Sequence, residues 1–280
     1  MRYEEILPSR PLAKYVKCFW FLESTLVESG GQERILPDGC TEIVINLAEP
    51  FQQQNSDGST ERQPLAFVVG QMRRYLLIEP TGKAQIMGLR FWPGGVYPFL
   101  AFPQDQIADQ VVALDSIWGR MADELRCRIA EAPSLEDAVR RIERVLVARL
   151  SKHRQDIDGV MNAVRLIRAS GGRVSVDYLS EQMGISLRML DRRFNAIVGL
   201  PPKVLSRIVR FQRALKMLES RQDKPDWVEI ALECGFYDQS HFIKEFKAIS
   251  GKEPTSYSNE THLMSDHFTR SDQLSFSYNT

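Results

Sequence analysis

The sequence predicts an α+β chain of two domains: a small N-terminal β-barrel with trailing helices, then an all-α region in which two short helix pairs are joined by a long helix. Three observations carry this. Up to residue 91, short apolar or β-branched runs are separated by Gly, Pro and Asp turn signals. From Gln106 onward the apolar residues recur at helical spacing instead. And 280 residues are enough for two cores.

The strands come first. Residues 16–22 and 41–47 are rich in aromatic or β-branched side chains, and Leu36-Pro37-Asp38-Gly39 is a turn between strands. Residues 52–62 are polar and glycine-containing and are expected to form an exposed loop. Residues 65–69, 74–78 and 84–91 continue the strand pattern, and many short strands with Gly/Pro turns indicate a small barrel or sandwich. The segment 88–100 is bent by its glycines and prolines, and Arg90, Trp92 and Tyr97 are candidates for lining a cavity that takes an effector. The bland alternative is a turn that packs aromatics into the core.

Helical spacing then places Ile107, Val111, Val112 and Leu114, followed by Ile117, Trp118, Met121 and Leu125, on helix faces. A second helix follows Pro133-Ser134, with Leu135, Val139, Ile142, Leu146 and Leu150 on one stripe and Arg140, Arg141 and Arg144 largely on the other side. That stripe either packs on its own domain or forms an intersubunit seam of a homodimer. Residues 151–156 are polar and serve as the linker.

The C-terminal region opens with a helix over 156–170, with Ile157, Val160, Val164 and Ile167 inward and Gly171-Gly172 as its stop. Ser175 caps a helix that ends on Gly184, and Ser186 caps the next, whose inner face is Leu187, Leu190, Phe194 and Ile197. Pro201-Pro202 opens the long helix, striped by Val204, Ile208, Phe211, Leu215 and Leu218. Asp226 caps a short helix bearing Ile230, Ala231 and Cys234, and Gly235 stops it. Asp238 caps the last, with Phe242, Phe246 and Ile249 as its apolar stripe.

Each pair is laid out as a helix-turn-helix whose second helix enters a DNA major groove. Gly235-Phe236-Tyr237-Asp238-Gln239-Ser240-His241-Phe242, followed by Phe246-Lys247, Gly251, Pro254 and Tyr257, resembles the signature of the AraC/XylS family of bacterial transcription regulators. The upstream pair and connecting helix match that family's first unit, so the resemblance covers roughly residues 153 to 257. It implies a DNA-binding domain over 153–258, a cupin-like sensor and dimerisation domain over 1–152, and a tail over 259–280. The tail is rich in Ser, Thr, Asn and Asp and is expected to be disordered. It also implies double-stranded DNA, a small-molecule effector and RNA polymerase as partners, with a lean towards activation.

Matching the family's motif position by position puts Arg188 and Arg192 where base contacts are expected; an arginine reading guanine O6 and N7 is worth roughly 1–3 kcal/mol of discrimination. Asp191 either accepts from a cytosine amino group or orients a neighbouring arginine. On the second helix Gln239, Ser240, Ile243 and Lys244 correspond, with Gln239 suited to adenine and Ile243 to a thymine methyl. Ser186, Lys203, Arg207, His241 and Lys247 are phosphate candidates, phosphate being the commoner fate of polar groups at a DNA interface. Two units on a rigid helix would sit about one DNA turn, ~34 Å, apart.

Composition narrows the alternatives. Hydrophobic content of 43% and charged content of 26% fit a globular protein that is not a membrane protein. Formal net charge is zero, yet residues 151–258 hold 18 Lys and Arg against 13 Asp and Glu, leaving 18 against 23 elsewhere. A basic module beside an acidic one suits DNA binding. Four cysteines, at 18, 40, 127 and 234, make no Cys-x-x-Cys pair, and neither a signal peptide nor a ~20-residue apolar run is present, so a cytoplasmic location is expected. An enzyme built on a metal-binding barrel would need histidines, and His153, His241, His262 and His267 all lie beyond it. No metal or cofactor is expected. A DNA-repair protein would need an activated cysteine, and Cys18, Cys40 and Cys234 occupy apolar or strand contexts. That rival and a metal-free enzyme with an appended DNA-binding domain are the alternatives to a regulator.

Overall fold

The computed structural model describes residues 1–24, 32–55, 58–152, 157–219 and 225–259. Its N-terminal strands are β1 (Arg2–Ile6), β2 (Val16–Ser24), β3 (Glu33–Ile35), β4 (Thr41–Asn46), β5 (Gln52–Gln54), β6 (Thr60–Arg62), β7 (Ala66–Val69), β8 (Leu76–Glu79), β9 (Ala84–Phe91) and β10 (Val111–Ala113). They form two antiparallel sheets, β1-β2-β9-β4-β7-β10 and β3-β8-β5-β6. Helices α1 (Tyr97–Leu100), α2 (Asp115–Trp118), α3 (Met121–Ala130) and α4 (Leu135–Lys152) follow.

The larger sheet is buried on both faces, which explains why β2 reads as an unbroken apolar run. Alternate residues divide between two cores. Phe19 and Phe21 of β2, Ile43 and Ile45 of β4, and Met87, Leu89 and Phe91 of β9 pack with Trp118, Leu125, Ile142 and Leu146 of the helices. Cys18, Trp20 and Leu22, Val44, Phe67 and Ile86 point the other way, with Phe51 and Ile78, towards the smaller sheet. The result is a helix layer, a six-stranded sheet and a four-stranded sheet. Each fully buried Phe or Leu side chain contributes about 1.5–3 kcal/mol. Gly88 makes room for the second core, because a Cβ there would lie 1.9 Å from Trp20 Cε2.

Several expectations change. Residues 52–62 are not simply a loop: β5 pairs with β6 and with β8, and Gln53 is buried. Val111 and Val112 are not helical; they pair with Val69 and Val68 as the edge strand β10. The α4 stripe is used within its own domain, where Val139, Ile142 and Leu146 are buried against Trp118, Leu125 and Phe99. These three side chains are thereby committed within the domain. The expected tail over 259–280 lies, but for Asn259, outside the described residues, as does most of the 151–156 linker.

The C-terminal region comprises α5 (Asp158–Ala169), α6 (Val176–Met183), α7 (Leu187–Val198), α8 (Pro202–Glu219), α9 (Trp227–Glu233), α10 (Gln239–Ser250) and α11 (Pro254–Ser258). Ile167, Leu179, Leu190 and Phe194 form one core with Leu205 of α8. Phe211, Ala214 and Leu215 of the same helix enter a second core with Ile230, Ala231, Phe242 and Phe246. One continuous helix thus fixes the two units to each other. Leu187 departs from its expected inward place and is exposed.

Candidate nucleic-acid interface and effector cavity

Helices α7 and α10 both begin on a side-chain cap. Ser186 Oγ accepts from Met189 N–H at 3.3 Å at the start of α7, and Asp238 Oδ1 accepts from His241 N–H at 2.7 Å at the start of α10. The preceding helices are capped likewise, by Ser175 from Tyr178 N–H and by Asp226 from Val228 and Glu229 N–H. Gly184, Gly199 and Gly251 take left-handed φ values of 61°, 91° and 77° at helix C-caps.

On α7, Arg188, Asp191 and Arg192 are all exposed, opposite buried Leu190 and Phe194. On α10, Ser240 and Lys244 are exposed, while Gln239 and Ile243 are half-buried. The phosphate candidates separate. Ser186 and Lys203 are exposed, whereas Arg207 is ion-paired to Glu245 and ties α8 to α10. Lys247 Nζ lies 3.0 Å from Glu253 in an exposed pair of little strength. His241 has an internal role: its Nδ1 accepts from Tyr237 N–H at 3.3 Å and its ring meets the Phe236 ring edge-on at 5.7 Å. Tyr237 was not singled out from sequence, yet it is 87% exposed beside the α10 cap. Its signal was an aromatic residue next to a cap, with no apolar partner at helical spacing.

A cavity of about 100 Å³ lies between the two sheets of the N-terminal domain. Its apolar wall is built from Trp20, Val44, Phe51, Phe67 and Ile86, and Asp38, Glu42, Arg90 and Gln212 add polar groups. Arg90 is placed by register: on β9 it sits opposite Cys18 of β2 and Glu42 of β4. Its side chain is 3% exposed, with Nε 2.5 Å from Glu42 Oε1 and 3.8 Å from Asp38 Oδ2. Burial alone disfavours the charged guanidinium, but the Glu42 and Asp38 carboxylates outweigh it and hold the Arg90 pKa well above its ordinary value. Burial also pushes the Glu42 carboxyl up, with Arg90 pulling against it.

Trp92 and Tyr97 do not line this cavity. Both pack against the core of the first helix-turn-helix unit, where Arg168 lies 4.1 Å over the Trp92 ring. They belong to a docking surface between the two domains. In that surface the Gln212 amide of α8 donates to Pro37 O at 2.7 Å, and Arg34 Nη1 donates to Ser250 O at 2.8 Å. Tyr75 N–H donates to Ile249 O at 2.9 Å, at the end of α10. Leu36 is buried in the core of the second unit. Residues 36–40 therefore wall the cavity on one side and rest on the helical domain on the other. Sequence reasoning had no signal for Asp38, Glu42 or Gln212 as cavity residues, because only strand register and the docking of α8 bring them together.

Burial pushes the Cys18 thiol up to about 12 and the Cys234 thiol up to about 11, the direction opposite to activation. Among the described residues no group of three or more His, Cys, Asp or Glu side chains is arranged to hold a metal ion. No helix among them is long and apolar enough to cross a membrane.

Residues 4–113 match a domain of unknown function (DUF6597), and residues 179–260 match a helix-turn-helix domain family. The chain is 31% identical over 86 residues to the HTH-type transcriptional regulator MtrA of Neisseria gonorrhoeae, covering 31% of this chain and 28% of that protein. It is 28% identical over 108 residues to the HTH-type transcriptional activator RhaS of Escherichia coli (strain SE11), covering 37% and 38%. The chain carries an AraC-type DNA-binding domain. The stretch matched to the helix-turn-helix family runs from within α6 to the end of α11, so the AraC-type domain contains both α7 and α10. The matches span less than half the length of either curated relative. Among solved structures, ToxT of Vibrio cholerae overlaps with a TM-score of 0.46 at 10% identity, over 86% of this chain and 97% of that one. The DNA-binding domain of AdpA, solved with a target DNA, overlaps with a TM-score of 0.33 at 24% identity, over 36% and 90%. Both overlaps are loose.

Proposed function

We propose that this protein is a sequence-specific, effector-responsive transcription regulator whose α7 and α10 read two adjacent major-groove segments of double-stranded DNA. The observation that carries the reading is the pair of capped, outward-facing helices fixed to one another by α8. Arg188, Asp191 and Arg192 are the base-contact candidates on α7, and Gln239, Ser240, Ile243 and Lys244 those on α10. Ser186, Lys203 and Lys247 are assigned to phosphates. Residues 1–152 act as the sensor and 153–258 as the reader, in the cytoplasm and without catalysis of their own. An effector in the inter-sheet cavity presses on residues 36–40 and so biases how the reader is held. That coupling needs an effector whose affinity differs between the docked and released states. Activation through RNA polymerase is the expected output.

The test is selection from a pool of random duplex DNA, with wild type beside Arg192→Ala and Lys244→Ala. A bipartite motif with halves about one turn apart, each half relaxed by one substitution, is the expected result. Uniformly weaker binding with an unchanged motif would move both residues to phosphate contact. A complete absence of selection would end the regulator reading.

A further inference from the structure

Arg90 looks at first like an anchor for an acidic effector, but the cavity's charges argue otherwise. Its guanidinium is already held by Glu42 at 2.5 Å and faces Asp38 Oδ2 at 3.8 Å. Two carboxylates face that one guanidinium, and the Lys17 charge also acts on Glu42, so the wall has no surplus of positive charge to offer. An anion entering here would meet a cation already ion-paired to carboxylates.

Asp38 supplies the complementary feature. Its Oδ1 accepts from Cys40 N–H at 2.8 Å, which fixes the carboxylate in its turn. Its Oδ2 is buried and has no hydrogen-bond partner among the described residues. A buried acceptor in that state is stabilised by an incoming donor, most of all a charged one. Much of the remaining wall is apolar, Val44 and Ile86 among it, and the rings of Trp20, Phe51 and Phe67 favour a cation near their faces. At about 100 Å³ the space is smaller than the dry cavity of about 150 Å³ that takes up benzene, so it suits a short branched alkyl group rather than a ring.

We infer that the inter-sheet cavity binds a small monocationic amine, its ammonium on Asp38 and its apolar body against Trp20, Phe51 and Phe67. This inference rests on the proposal that the cavity is the effector site, and it names the effector's chemical class. Because Pro37, the residue before Asp38, receives the Gln212 amide of α8, the amine would bind where sensor and reader meet.

The test is calorimetric titration of the full chain with three small probes of one shape: isobutylamine, isobutanol and isobutyrate. The expected result is isobutylamine binding at least about tenfold tighter than the alcohol, with isobutyrate weakest, as a charged hydrogen bond outweighs a neutral one. Asp38→Asn should lose that tenfold for the amine and leave the alcohol unchanged, which also shows that the variant cavity is intact. Isobutyrate binding best would overturn the inference and give the cavity to anions. An amine preference that survives Asp38→Asn would overturn it too, by placing the amine elsewhere, and so would no binding of any probe. The random-duplex selection, run both with and without the probes, separates this from the parent reading. Its success beside a failed titration removes only the ligand class, and its failure removes the regulator reading whatever the cavity binds.

Discussion

Helices α7 and α10 share a frame and differ in almost everything they present. Both open on a side-chain cap, close on a left-handed glycine and bury one apolar face against α8. The α7 face carries two exposed arginines, whereas α10 offers Gln239, Ser240, Ile243 and a single Lys244. Their attachment differs too. The α7 unit meets the N-terminal domain through packing of Tyr15, Trp92 and Tyr97 and through the Lys14–Asp158 ion pair at the start of α5, while α10 is held at its C-terminal end by hydrogen bonds from Tyr75 N–H and Arg34 to its own last carbonyls. The α10 attachment thus runs through its own main chain.

The largest way to break this comparison is through the cores. Phe242→Ala and Phe194→Ala should each destabilise their unit by about 3–5 kcal/mol, both rings being fully buried. Hydrogen exchange should show lost protection confined to α10 for the first and to α7 for the second; loss in both together would mean that the units fold as one. Next comes the tether. Arg34→Ala removes a charged hydrogen bond worth about 2 kcal/mol, and exchange should rise at 249–251 with α7 unchanged. A somewhat smaller effect separates the two chemistries. Replacing both phosphate candidates Lys203 and Lys247 by Ala should lower the salt slope of DNA binding by up to about 2. Gln239→Ala removes no charge and should leave that slope unchanged, while costing about 1–3 kcal/mol at one base pair. The smallest effect is in the caps. Ser186→Ala and Asp238→Ala should cost about 0.5–2 kcal/mol each by thermal unfolding. The aspartate should matter more, because its bond is 2.7 Å against 3.3 Å and its charge faces the helix N-terminus.

The helical half was legible because its signals are local. Ser175, Ser186, Asp226 and Asp238 lie within three residues of the N–H groups they cap, and Gly184, Gly199 and Gly251 end helices by their own conformation. The N-terminal domain was legible only in its apolar strands. β5 and β6 were read as a loop because Gln52, Gln53 and Gln54 carry no hydrophobic alternation; their place comes from pairing with β8. Val111 and Val112 fell at helical spacing from Ile107 by coincidence, and an edge-strand partner in β7 decided their state. The cavity was less visible still. Arg90 could be suspected as a lone charge in an apolar strand, but its carboxylate partners come from β4 and the turn before it. Trp92 and Tyr97 face the helical domain rather than the cavity, and nothing within the segment 88–100 encodes the helix that covers them.

The bond from Tyr75 N–H to Ile249 O belongs to the main chain at both ends. Only proline at 75 would remove the donor, and no replacement at 249 removes the acceptor. The neighbouring contacts, from Gln212 and from Arg34, each depend on one side chain and can be lost in a single mutational step. Descendants of this sequence would therefore drift first in how tightly the domains hold one another, and only later in where they touch. The tension of the coupling is heritable variation; its anchor point is close to fixed.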